Sequence, residues 1–244
     1  MVLRKLLTIF LLFIFLSGCS LFSSAGNQPD EPPASLPEYP EPDPEIIAIL
    51  DAHRNSLDEE VGEKIATVHD TLRFNKPESA LGNLVADALR FRAGSELKQF
   101  VNLGVIGDSS FGLYLTPGDL TKKDVLEFMP YDNHLVVLRL DGDKVIELAD
   151  QIAALGGAPI SGLRMRIDDG KARGVLVNAQ VLNSDKEYFV ATTSWAANGG
   201  DQFPALWDHT DRIDLYDVGV RDLYIDYFKN RRNIYANRDG RIRL

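Results

Sequence analysis

The sequence predicts an α+β fold, a single domain with a mixed β-sheet flanked by helices. Three observations lead there. Short apolar strands alternate with helical patterns, turn signals separate nearly every pair of elements, and no internal repeat runs through the 244 residues.

The elements follow in order. Asp43 as N-cap and Pro44 at the first helical position open a helix through Ile46, Ile47, Ile49 and Leu50, ending near Asn55. Residues 64–72 alternate in a strand-like way. Ser79 caps a second helix carrying Leu81, Leu84, Val85, Ala88 and Leu89 on one face, with Gly94 beyond its end. Residues 99–106 read as a buried strand and Thr116-Pro117-Gly118-Asp119 as a turn. Thr121 with Asp124 resembles a capping box for a short helix closed by Pro130. The apolar run 134–140 predicts a strand, and 144–155 a helix stopped by Gly156-Gly157. Segments 163–167 and 174–181 look like hairpin partners across Asp168-Asp169-Gly170, and 188–193 is another strand. Asp217 is expected to cap a last helix through Val220, Leu223, Tyr224 and Tyr227.

Ahead of this domain, Arg4 and Lys5 precede an apolar run from Leu6 to Leu16 and then Ser17-Gly18-Cys19. About twenty apolar residues are needed to span a bilayer, so this shorter run predicts a secretory signal over 1–18. Small residues before the one cysteine resemble the bacterial lipobox, so Cys19 is expected to carry lipid, with Ser20 directing the protein to the outer membrane, facing the periplasm. Residues 19–42 are rich in proline and read as a disordered tether, leaving 43–244 as the domain. With Cys19 lipidated, packing rather than disulfides must stabilise the fold.

The formal charge of −10, or −12 without Arg4 and Lys5, excludes nucleic acid as an expected partner. The late cluster Arg231, Arg232, Arg238, Arg241 and Arg243 reads as a solvated basic tail.

Two segments suggest a ligand. Pro130-Tyr131-Asp132-Asn133 and Ser194-Trp195-Ala196-Ala197-Asn198-Gly199-Gly200-Asp201 each place an aromatic ring beside a polar anchor in a turn-prone stretch. Two rings can clamp a flat heterocycle, and base stacking on an aromatic side chain contributes roughly 1–3 kcal/mol. Asp201 offers two acceptors, matching a ribose diol; it equally suits a turn aspartate capping local amides. Asn133 can pair with a purine edge. Asn102 is as well placed to bond backbone inside the fold.

Four stretches, in order, resemble the C-terminal substrate-binding domain of the 5′-nucleotidases: Leu81-Gly82-Asn83-Leu84, Pro130-Tyr131-Asp132-Asn133, Ile160-Ser161-Gly162-Leu163, and Ser194 through Asp201. The resemblance implies a 5′-nucleotidase C-terminal-like domain in which Tyr131 and Trp195 stack the base, Asn133 touches it and Asp201 binds the ribose. It adds Asn102, Gly104 and Gly162 to the substrate-binding set. Where the family carries an arginine that holds phosphate this sequence has Gly107, followed by Asp108; Arg73 and Lys76 are the candidate replacements.

His53, His69, His134 and His209 are scattered singly, so no two-metal cluster is legible, and neither a metal nor a cofactor is expected. Phosphate-cradling and nucleophile-elbow motifs are lacking too. The expectation is a lipid-anchored nucleoside- or nucleotide-binding module without its own catalysis. Its rivals are the recognition half of a split 5′-nucleotidase acting with a separate metallophosphatase, and an envelope interaction domain without a ligand.

Overall fold

The computed structural model describes residues 43–244, less the side chains at 52, 53 and 55–58. The expected signal, the tether and Cys19 lie outside the described residues. One compact unit covers Ala52–Leu244, and the unit before it ends at Asp51. The boundary falls within helix α1 (Pro44–Val61), which runs a turn and a half beyond its expected end. The site lies wholly in the later unit.

The apolar run after Asn133 forms β6 (His134–Asp141), second in a five-stranded sheet. It is flanked by β12 (Asp211–Gly219) at the edge and β11 (Glu187–Thr193), then β3 (Leu103–Val105) and β7 (Ile160–Ser161). β6 is antiparallel to both neighbours, β11 and β3 are parallel, and β3 and β7 antiparallel, so the sheet is mixed as expected. Leu135 and Val137 join one hydrophobic core, while Val136, Leu138 and Leu140 join the other. Burial on both faces explains why this strand reads as an unbroken apolar run.

On one face lie α2 (Ala80–Leu97) and α6 (Val220–Arg231), tied by the buried Tyr224 hydroxyl donating to the Val85 carbonyl at 3.1 Å. On the other lies α4 (Gly142–Ala154), whose Val145, Leu148, Ala149 and Ile152 are buried. A second sheet, β10 (Gln180–Val181), β9 (Lys171–Val177), β8 (Leu163–Asp168) and β14 (Ile242–Arg243), shares that core. The minor sheets join β13 (Asn233–Ile234), β1 (Lys64–Val68) and β5 (Gly118–Thr121), and pair β2 (Leu72–Arg73) with β4 (Tyr114–Leu115). The capping box forms: the Thr121 hydroxyl accepts from the Asp124 amide and its own amide donates to the Asp124 carboxylate, starting α3 (Lys122–Phe128).

The structure corrects five local expectations. Residues 99–102 are outside β3. The 163–167 strand pairs with Lys171–Val177 rather than 174–181, across a two-residue turn at Asp169 and Gly170, both with positive φ. Helix α2 continues past Gly94 to Leu97, and Lys98 adopts the left-handed conformation that closes it. Asp217 does not cap α6; it stays in β12, so Gly219 precedes the helix, and the Asn133 carbonyl accepts the Val220 amide at 2.8 Å. The basic tail is only partly solvated, since Arg241 is 9 % exposed. Its guanidinium donates to both Asp87 oxygens at 2.8 and 2.7 Å, to the Ile160 carbonyl at 2.7 Å and to Asp239 at 2.9 Å, clamping the chain's last strand to α2 and β7.

Candidate functional site

Because β6 and β11 are antiparallel, with Leu135 opposite Thr193, the loop entering β6 and the turn leaving β11 meet at one end of the sheet. There the Thr193 hydroxyl accepts the Ala196 amide, starting the short helix α5 (Ser194–Ala197). Buried Ser194 joins the two segments: its hydroxyl donates to Asn133 Oδ1 at 3.0 Å and accepts from the His134 amide at 3.2 Å.

The loop is also held from α6. The Arg221 guanidinium donates to the carbonyls of Met129 and Pro130 at 3.0 and 2.8 Å, in addition to the bond from Val220 to Asn133. Between these fixed points Tyr131 stands 56 % exposed. An exposed ring on a restrained backbone is what a stacking site requires, because little ordering is left for the ligand to impose.

Trp195 is 52 % exposed and lies across Gly200, where a Cβ would fall 2.0 Å from the indole. Gly199, at φ +93°, packs likewise against Trp207, whose ring would lie 3.2 Å from a Cβ there. The two glycines thus each seat one half-exposed indole. Trp207 and Arg221 were missed by the sequence reading, and no local pattern marks either.

Asp201 is 6 % exposed and faces inward. Its carboxylate accepts from the Gly107 amide at 2.9 Å and the Ser109 hydroxyl at 3.0 Å, joining the 107–110 loop to the Gly199-Gly200 turn. Burial raises its pKa, opposed by the bonds from Ser109 and Gly107, and neighbouring Asp108 raises it further. A Cβ at position 107 would sit 2.0 Å from this carboxylate, so the absence of a side chain at Gly107 is what makes room for the inward Asp201. Lys76 donates to Asp108 at 3.2 Å and to the Leu155 carbonyl at 3.0 Å. Arg73, on β2, is exposed and makes no ion pair among the described residues.

Tyr131, Asn133, Trp195 and Asp201 therefore lie on the segments that enter β6 and leave β11. Asn102, Gly104 and Gly162 lie deeper in the fold, along β3 and β7 beside Phe189 to Ala191 of β11. The Asn102 side chain accepts the Phe189 amide at 2.9 Å and its carbonyl accepts from Asn178, so it bonds backbone inside the fold. Gly104 lets α2 approach β3, a Cβ there falling 2.6 Å from the Ala86 carbonyl. Gly162, at φ +74°, turns against the Asn102 carbonyl, 2.1 Å from where its Cβ would be.

Edge strand β12 braces the site from the side. Asp214 bonds His134 Nε2 at 2.7 Å and Arg212 at 2.8 Å, and Arg212 reaches Asn198 Oδ1 at 2.8 Å. Arg212, then His134, hold the Asp214 pKa below its ordinary value against the effect of burial. Tyr216, 74 % exposed, packs on the His134 ring at 4.7 Å.

This fold and these motifs define a family. The sequence profile described as "5'-nucleotidase, C-terminal domain" matches residues 62–208, and the chain belongs to that family. A Vibrio cholerae 5'-nucleotidase is 27 % identical over 208 residues, covering 83 % of this chain and 35 % of the relative. An Aedes albopictus apyrase is 29 % identical over 213 residues, covering 77 % and 37 %. A solved 5'-nucleotidase precursor from Thermus thermophilus superposes with a TM-score of 0.69 at 23 % identity, over 81 % of this chain and 42 % of that one. The Haemophilus influenzae NAD nucleotidase gives 0.62 at 17 % identity, over 82 % and 41 %. The chain thus spans little more than a third of the length of these curated relatives.

Proposed function

We propose that the chain is a nucleoside- or nucleotide-binding module, with the base stacked on Trp195 and Tyr131 and its edge read beside Asn133. The observation that carries this is the Ser194 bridge to Asn133, which fixes two exposed rings on neighbouring loops. Asp201 serves the ribose through the lone pairs that Gly107 and Ser109 leave free. Cys19 supplies a lipid anchor in the cell envelope. The protein works either alone or as the recognition part of a nucleotidase whose metallophosphatase is a separate protein. In the relatives, more than half of the length lies outside the match.

Calorimetric titration with adenosine, AMP and UDP-glucose tests the proposal. Adenosine should bind in the micromolar range, and Trp195→Ala should abolish the heat. AMP should gain no more than about tenfold over adenosine, because the charge-assisted bond that an arginine at position 107 would add, worth about 1.5–3 kcal/mol, is missing. No heat with any of the three ligands would overturn the reading. A hundredfold preference for AMP would assign the phosphate to Arg73 or Lys76.

A further inference from the structure

A cavity of about 410 Å³ opens between α2 and α6, within the size range of small-molecule sites. Ala88 and Leu223 form a buried floor, and the tilted pair Phe91 and Tyr227, with ring centroids 6.3 Å apart, forms an apolar wall. Phe91 is 68 % exposed, a large apolar surface to leave facing water.

The charged groups around it are unevenly matched. Asp87 is taken up by Arg241 and by the Ser161 hydroxyl at 2.6 Å, while Asp226 accepts from Arg92 at 2.9 Å. Arg90 and Arg231 also line the cavity, and neither meets a carboxylate within 4.0 Å among the described residues. Arg90 is half-buried; it donates to Asn178 Oδ1 at 3.2 Å and lies 5.8 Å from the Phe100 ring centre. Arg231 lies 4.9 Å over the Tyr227 ring. Two cations without counter-ions beside an apolar wall are unusual on a protein whose formal charge is −10.

We propose that this cavity binds a small organic carboxylate with a flat apolar body, its anionic end meeting Arg90 and Arg231 and its body lying on Phe91 and Tyr227. Guanidinium matches the planar carboxylate fork. The lining carries three arginines against two aspartates, an excess of one positive charge that suits a monoanion, whereas a dianionic phosphate would be repelled by Asp87 and Asp226. Burial depresses the Arg90 pKa, which nearby Asp87 raises and Arg241 lowers further; a bound carboxylate would offset that burial cost. The cavity is lined by none of Tyr131, Asn133, Trp195 and Asp201.

The experiment uses the whole isotopically labelled chain, titrated with phenylacetate, its neutral isostere phenylacetamide, and phenyl phosphate. Phenylacetate should give saturable amide shifts centred on Arg90, Phe91 and Tyr227, about tenfold tighter than phenylacetamide, as loss of one charge-assisted bond predicts. Phenyl phosphate should bind no tighter than phenylacetate. Arg90→Gln should erase the preference for acid over amide, and exposed Arg231→Gln tests the same point should the first variant fail to fold. Equal affinity for acid and amide, shifts gathered at Trp195, or no saturable shifts would overturn the proposal. A strong preference for phenyl phosphate would overturn the assignment to a monoanion.

Discussion

The Trp195 end of the sheet and the Arg241 side of α2 both carry residues that look functional in sequence, and they use them in opposite ways. At the first, Tyr131 and Trp195 stay more than half exposed while the backbone beneath them is fixed by Ser194 and Arg221. At the second, polar groups and glycines are consumed in holding elements together: Arg241 in Asp87, Asn102 in Phe189, Gly104 under α2. Exposure of the ring, together with restraint of its backbone, separates the first region from the second. Residue type does not. Asp201 lies between these extremes, placed at the first region and bonded like the second.

The largest effect expected from this contrast is in Arg241→Ala. It strips Asp87 of its bidentate partner and leaves the Ile160 carbonyl without its donor, so stability should fall by about 3 kcal/mol, the low end for a broken buried pair because the Asp87 side chain is 33 % exposed. Denaturant unfolding measures it, and a loss below about 1 kcal/mol would make this side an ordinary surface. Gly104→Ala comes next, at about 1–3 kcal/mol, since a helix backbone rather than a flexible side chain blocks the new methyl. Adenosine binding should survive in whatever fraction remains folded.

Trp195 inverts the pattern. Trp195→Ala should cost no more than about 1 kcal/mol of stability yet remove ligand binding, and Trp195→Phe should restore much of the affinity, stacking needing only a ring face. A Trp195→Ala protein that binds adenosine normally would erase the contrast between the two regions. Fluorescence should be read with care for Trp207, which flanks the same turn and will respond as well.

The smallest effect concerns Glu63, exposed before β1. Hydrogen bonds from Lys122, then Lys229, hold its pKa down to about 2. A depressed carboxylate stabilises the fold above its unfolded pKa of about 4.3 and loses that contribution as pH falls toward 2. Wild type and Glu63→Gln should therefore differ slightly in Tm at pH 6 and converge by about pH 2. A difference that persists at low pH would point to packing rather than charge.

The sequence by itself determined the fold class, the strands β6 and β11, the capped helix α3, and the two loops that carry Tyr131 and Trp195. These are local quantities: apolar periodicity, cap chemistry and turn residues act within a few positions of the chain. It left out β12, whose Arg212, Asp214 and Tyr216 alternate with Ile213 and Leu215 but carry enough charge to read as loop, and which becomes a strand because β6 offers it an edge. It read Arg241 as solvent-facing because the Asp87 partner lies 154 positions away, and it left Asp201 between a ribose ligand and a cap of local amides because the Gly107 amide that it accepts from is 94 positions away. Only the tertiary structure decided which glycines make turns and which admit a helix, which asparagine bonds backbone and which stands beside a ring. Those outcomes depend on what the folded chain brings within hydrogen-bonding or van der Waals distance, and no local pattern encodes that.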